Sequence, residues 1–286
     1  MKKRIAILLC IVMAVCANTG LALELGDRAV VANCNEYITL REEESTSAAE
    51  IRKLQLDETV NIIEDAKNGF VKVDARGMSG YVLEEYLQLQ EDFRGETIEV
   101  SEGERSIINL FLTDFSKQAI SIYDLADLAQ SSAFRRDTVH LQFAIRNVWF
   151  NHPEKLECGD WTLGNVRVKM EDLPEIVKTY FNQEVSFPDA ADYNQMDGYY
   201  YWQESGGNVP MGFACLKSVE SLGAGRYAVR FDIYGAGEEW TNDVCALTPE
   251  EAAQKYAKSS EGMAVIATDT SLANRGALHL ERWITE

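Results

Sequence analysis

Between Gly26 and Leu89 the chain breaks into short apolar-polar alternations separated by polar punctuation, and no other feature constrains the fold as tightly. Ala29-Val30-Val31 leads in and Tyr37-Ile38-Thr39-Leu40-Arg41 follows. After a polar break from Glu42 to Ala48 come Ile51 to Leu56, Thr59 to Glu64, Phe70 to Val73 and Gly80-Tyr81-Val82. Alternation with period two puts successive side chains on opposite faces of a strand. Five such strands after the lead-in, packed into about 60 residues, predict a small β-barrel.

The same stretch carries a family resemblance. Asn35-Glu36-Tyr37-Ile38-Thr39-Leu40-Arg41, Ser45-Thr46-Ser47-Ala48, Asn68-Gly69-Phe70-Val71-Lys72-Val73 and Gly80-Tyr81-Val82-Leu83-Glu84-Glu85-Tyr86-Leu87 together resemble a bacterial SH3-like (SH3b) domain across residues 27–89. One departure is Asp57-Glu58, where the family commonly has Gly-Glu; Asp tolerates turn conformations, so the fold should survive it. The resemblance implies an aromatic groove that docks on peptidoglycan or on an envelope protein partner. Its candidate ligand-binding residues are Tyr37, Arg41, Phe70 and Tyr81, of which Phe70 and Tyr81 suit the barrel core equally well.

Upstream, Lys2, Lys3 and Arg4 precede an apolar run from Ile5 to Ala17 and small residues at Gly20 and Ala22. That is the pattern of a secretory signal peptide, residues 1–22, cut near Ala22 and before Leu23. The run falls short of the roughly 20 apolar residues of a spanning helix, and an uncleaved anchor is the alternative. No later stretch is long and apolar enough to cross a bilayer, so the chain is not expected to be an integral membrane protein. A formal net charge of −19 argues against nucleic acid, whose binding needs cations facing phosphates. Four cysteines lie beyond the signal: Cys34, Cys158, Cys215 and Cys245. They allow three pairings, with Cys215 to Cys245 preferred and reduced thiols left open.

Residues 90–100 read as a linker and 101–286 as a second domain. Ser101 and Glu104 form a capping box ahead of the one-sided stripe Ile107, Ile108, Phe111, Leu112 and Phe115. In Asp137 to Asn151, Leu141 to Ile145 alternates like a strand while Val139, Phe143, Asn147 and Val148 share a helix face, and helix is the reading taken. Gly164 to Met170 reads as strand, and Leu173, Ile176, Val177, Tyr180 and Phe181 mark another helix. Gly198 to Gln203, Gly212 to Val219 and Tyr227 to Tyr234 follow as a meander. Thr248-Pro249-Glu250-Glu251 opens a short helix, and Met263 to Thr268 with Ala277 to Thr285 close the sheet. The expected fold class is therefore two-domain: a small all-β SH3-like barrel, then an α+β domain with an antiparallel meander packed on helices. In outline the second part is similar to uncharacterised domains of SH3-containing Clostridia-type secreted proteins, and to cystatin or nuclear-transport-factor-like cones.

The sequence offers no catalytic motif. His140, His152 and His279 have no metal-ligand spacing, and no nucleophile elbow, phosphate loop or dinucleotide fingerprint occurs. Cys158, Cys215 and Cys245 lack the helix-start setting of a nucleophilic cysteine. The run Tyr199-Tyr200-Tyr201-Trp202 puts Tyr199 and Tyr201 on one face and Tyr200 and Trp202 on the other, one pair being core and the other open to a sugar-stacking reading. Asp189 to Asp197 reads as an acidic loop without the order of a calcium loop. No cofactor, catalytic residue or metal ligand is expected. The function expected is that of an exported, non-enzymatic binding protein, secreted or associated with the cell wall. The alternatives are a cell-wall hydrolase with an unrecognised site in 101–286, and a structural or oligomerising envelope component.

Overall fold

The computed structural model describes residues 22–116, 133–185, 187, 194–204, 211–237 and 242–285. Within them the chain is mostly β, with three antiparallel sheets and four α-helices.

The first sheet has seven strands in the order β3-β2-β6-β5-β4-β1-β7: β1 (Arg28–Val31), β2 (Tyr37–Arg41), β3 (Glu50–Gln55), β4 (Thr59–Lys67), β5 (Phe70–Ala75), β6 (Met78–Leu83) and β7 (Leu87–Glu91). Its core takes the alternate positions Ile38, Leu40, Val71, Val73, Ala75 and Val82. The β4–β5 hairpin turns on Asn68 and Gly69, both at positive φ (53° and 76°), the conformation of a two-residue type I′ turn. Asp57 stands at φ 66°, which explains why this position commonly carries glycine: the left-handed region costs an L residue, and Asp less than most.

Beyond the barrel, β8 (Glu96–Thr97), β13 (Met211–Gly223), β14 (Arg226–Gly237), β15 (Lys258–Ala267) and β16 (His279–Thr285) form a five-stranded meander in the order β16-β15-β14-β13-β8. One face carries α1 (Glu102–Ser116), α2 (Ala133–Asn151) and α3 (Leu173–Phe181), with Phe115, Phe143 and Trp283 packed at its centre. Both halves of the Ser101–Glu104 capping box are made. On the buried stripe of α1, Asn109 Oδ1 and Thr113 Oγ1 accept from the main-chain nitrogens of Leu216 and Ala214 at 2.7 and 3.1 Å, fastening helix to strand. α4 (Pro249–Lys255), with its own complete capping box at Thr248, packs Ala252 against Phe213, Cys215 and Tyr234 on the opposite face.

Two expectations change here. The strand at Tyr199 does not continue the meander: β12 (Tyr199–Trp202) pairs with β10 (Gly164–Lys169) and β11 (Asn194–Met196), and β9 (Leu156–Trp161) completes a separate four-stranded sheet. Opposite Tyr200 lies Val168, so that side of β12 finds its apolar partners on β10. Residues 90–100, expected as a linker, are fixed: β7 runs to Glu91, Phe93 is buried and β8 pairs with β13.

Phe93 belongs to a seam between the barrel and the face of the meander opposite α1–α3. There Leu25 and Phe93 meet Ala228, Met263, Val265 and Ile284, with Ile63 half-buried beside them. Gly26, at φ 99°, lies so close to Met263 that a Cβ would sit 2.2 Å from its Cε. Polar groups share this seam. Arg282, on β16, donates to Asn61 Oδ1 at 3.0 Å and to the Asp27 carbonyl at 3.4 Å, and Arg230 donates to the Leu25 carbonyl at 2.8 Å.

Candidate functional site

The barrel surface holds a groove of about 460 Å³, within the size range of peptide and small-ligand sites. Outward positions of β2 supply Tyr37, Thr39 and Arg41, because Ile38 and Leu40 between them turn into the core. Phe70, the first residue of β5, also points outward, being out of phase with the core residues Val71 and Val73. Asn33, Cys34 and Asn35 come from the segment before β2, and Tyr86 from the 3₁₀ turn Glu84–Tyr86. Asn33 ties these two segments together, its Nδ2 donating to the Glu85 carbonyl at 2.9 Å.

Arg41 is the single ionised side chain among the lining residues. Its Nη1 donates to the Ala48 carbonyl at 2.7 Å, which holds the loop after β2 and uses one of the guanidinium's five donors. Tyr37 is 41% exposed, with the Lys53 ammonium 3.9 Å from the ring centroid. Three of the four residues singled out from sequence, Tyr37, Arg41 and Phe70, thus surround one groove. Tyr81 does not line it. It pairs with Lys72 across β5–β6, and its hydroxyl donates to Glu64 Oε2 at 3.4 Å. Neither Phe70 nor Tyr81 enters the barrel core. Sequence reasoning passed over Asn33, Asn35, Thr46 and Tyr86, since polar residues between strands carry no periodic signal.

A match to the family model for the bacterial SH3 domain covers residues 36–88, which includes β2 to β6 and most of the groove. This segment is a bacterial SH3 domain. Among curated proteins none matches the chain. One solved structure is similar to this chain at a TM-score of 0.20 and 14% identity, covering 82% of this chain and 71% of the other: "Structure of NlpC2 from Trichomonas vaginalis". At that score the likeness carries no argument about fold or activity.

Outside the SH3 domain the aromatic run divides only in part as its alternation predicts: Tyr200 and Tyr201, on opposite faces, are both buried, and Tyr199 and Trp202 are half-buried. Tyr200 belongs to the core cluster shared with the helices, while Tyr199 shares the opposite face with Tyr201, whose ring meets Trp161 and whose hydroxyl accepts from Arg167 Nη1 at 3.2 Å. On that face the Arg167 guanidinium lies 4.1 Å from the Tyr199 ring and 4.4 Å from Trp161, and it pairs with Glu157. The rings are therefore already stacked on a cation of this chain, rather than open as a platform for a sugar. Asp189 to Tyr193 lie outside the described residues, as does Trp240. Among the described residues no three His, Cys, Asp or Glu side chains are grouped to hold a metal ion.

All four cysteines are free thiols, so the preferred Cys215–Cys245 pairing is not made, although both belong to one buried cluster. Cys215 donates to the Leu247 carbonyl at 3.0 Å, and burial, reinforced by the Asp232 charge, pushes its pKa up to about 12. A buried, protonated thiol is inert. Titration of the native protein with a thiol reagent should modify the exposed Cys158 quickly and Cys34 more slowly. Cys215 and Cys245 should react only after unfolding. Rapid modification of all four in the native state would contradict this arrangement.

Proposed function

We propose that this chain is exported and acts as a binding protein without turnover, its SH3 domain docking through the Arg41 groove onto peptidoglycan or an envelope protein. The observation that carries the reading is the groove's composition: one cation and no carboxylate among its lining residues, with three aromatic rings, in a chain of net charge −19. A peptide segment offers what such a groove matches. Its carboxylate suits the guanidinium, and its amides suit Asn33, Asn35, Thr39 and Thr46. The basic and apolar N-terminal segment supports export. In this reading residues 101–286 form a second unit that carries the SH3 domain through the seam, which shares no residue with the groove.

The test is co-sedimentation of the protein with purified peptidoglycan sacculi while soluble fragments are monitored. The wild type should pellet without releasing fragments. Tyr37→Ala, at an exposed position with little effect on folding, should weaken binding about tenfold, or ~1.4 kcal/mol. Arg41→Ala should weaken it further, since it removes the cation and loosens the loop at Ala48. Equal pelleting of all three proteins would remove the groove from the reading. Released fragments would replace it by hydrolysis, and absence of pelleting would leave a protein partner.

A further inference from the structure

The residues just after the expected cleavage point are built into the fold. Ala22 is exposed, but Leu23 is only 4% exposed and packs in the barrel core beside Val60, Ile62 and Val82. Three successive main-chain nitrogens meet three carboxylates. Leu23 N donates to Glu84 Oε1 at 3.3 Å, Glu24 N to Asp27 Oδ2 at 2.9 Å and Leu25 N to Asp65 Oδ1 at 2.7 Å. The Leu23 carbonyl accepts from Ala66 N, and Gly26 N donates to the Ile62 carbonyl. Leu25 then enters the seam with Met263 and Phe93. From Leu23 onward the chain is therefore held by side chain and main chain together, whereas Ala22 is exposed and meets the fold through its carbonyl, which accepts from Arg94 Nη1 at 3.4 Å. That cation would stand near the new α-amino group and oppose the Glu84 carboxylate there.

We propose that Leu23 is the first residue of the mature protein and that its α-ammonium forms an ion pair with the Glu84 carboxylate, a contact that processing itself creates. This rests on the export reading. Water adds across the Ala22–Leu23 amide in the processing peptidase. The acyl carbon keeps the water oxygen and leaves as the Ala22 carboxylate, while the Leu23 nitrogen departs as an amine that takes up a proton at neutral pH. A neutral amide with one N–H thus becomes a cation with three donors at the same place. A carboxylate partner holds the charged donor more strongly than the neutral one. Burial of the Leu23 side chain also sets an order of events: the bond must be cut before the barrel closes over it.

The full 286-residue chain, expressed in a secreting bacterial host, should yield a secreted protein whose N-terminal sequence and intact mass start at Leu23. A secreted chain starting elsewhere would overturn the proposal and leave export standing; a full-length chain retained in the cell would overturn both. In the mature protein labelled with [¹⁵N]leucine, the α-amino group should titrate about one unit above the usual range of roughly 7.7–8.0. It should return to that range in Glu84→Gln. The same midpoint in both would overturn the ion pair. A protein that retains Ala22, and so displaces the charge by one residue, should melt about 2–4 °C lower than the Leu23 form. Equal melting would count against the ion pair as well.

Discussion

Replacing Asp114 by alanine should lower the melting temperature by about 10 °C, corresponding to a loss of ~3–5 kcal/mol, one of the two largest effects expected of a single side chain here. Asp114 is fully buried on α1. Its Oδ2 accepts from the Tyr180 hydroxyl at 2.6 Å and from Arg275, and its Oδ1 from Asn151 Nδ2 at 3.1 Å. One carboxylate therefore joins α1, α2, α3 and the connection between β15 and β16. Without it the half-buried Arg275 loses its carboxylate partner and the Tyr180 hydroxyl keeps a buried proton with no carboxylate to receive it. Burial, and then the negative charge of Asp114, push the Tyr180 pKa above the ordinary tyrosine range, so the phenol acts as a donor at all physiological pH. Asp114→Asn retains one acceptor and should fall between wild type and alanine. Thermal unfolding followed by circular dichroism reads the series; a shift of under about 3 °C for alanine would mean that the cluster does not fasten the helices.

The second large effect is a pH dependence centred on Asp27 in the seam. Its carboxyl is 1% exposed, and burial raises its pKa from 3.8 to about 6, against the opposing pull of the Glu24 amide and Arg94. A carboxyl whose folded pKa is raised keeps its proton in the native state after the unfolded chain has lost it. Stability from this group is thus fully present below about pH 3.8 and is lost as pH rises through about 6. At 1.36 kcal/mol per unit the loss is roughly 3 kcal/mol. Asp27→Asn keeps an acceptor for the Glu24 amide at 2.9 Å and cannot ionise. Denaturant unfolding of both proteins at about pH 3.5 and 7.5 should show the difference between them shifting by up to ~3 kcal/mol in favour of the asparagine variant at the higher pH. A pH-independent difference would show that Asp27 ionises without cost in the seam.

Much of the local structure was legible in the sequence. The alternation in β2 and β5 separated Ile38, Leu40, Val71 and Val73 from the outward Tyr37, Arg41 and Phe70, which is why three of four groove candidates converge. Tyr81 has the same outward phase and lies outside the groove for a reason that phase does not encode: although it stands opposite Arg41 across β2–β6, its ring is set beside Lys72 and Glu64. The same limit applies to the meander, where the strand at Tyr199 was correctly placed and its partner was not. Asn109, Thr113 and Asp114 look like polar interruptions on a helix, yet all three are buried and bonded to other elements.

By itself the sequence determined most of the strands and helices, where the capping boxes start them and which face of each is apolar, because these follow from residue-to-residue periodicity and local hydrogen bonding. The short strands β8, β9 and β11, the last inside the expected acidic loop, carry no such periodicity and escaped it. The tertiary structure decided which faces meet. The seam joins Leu25 and Phe93 to Met263, and the Asp114 cluster joins residues from four segments; both depend on contacts between residues far apart in the chain. Such contacts form only when the whole chain closes, and a buried polar side chain is tolerated where closure supplies its partners.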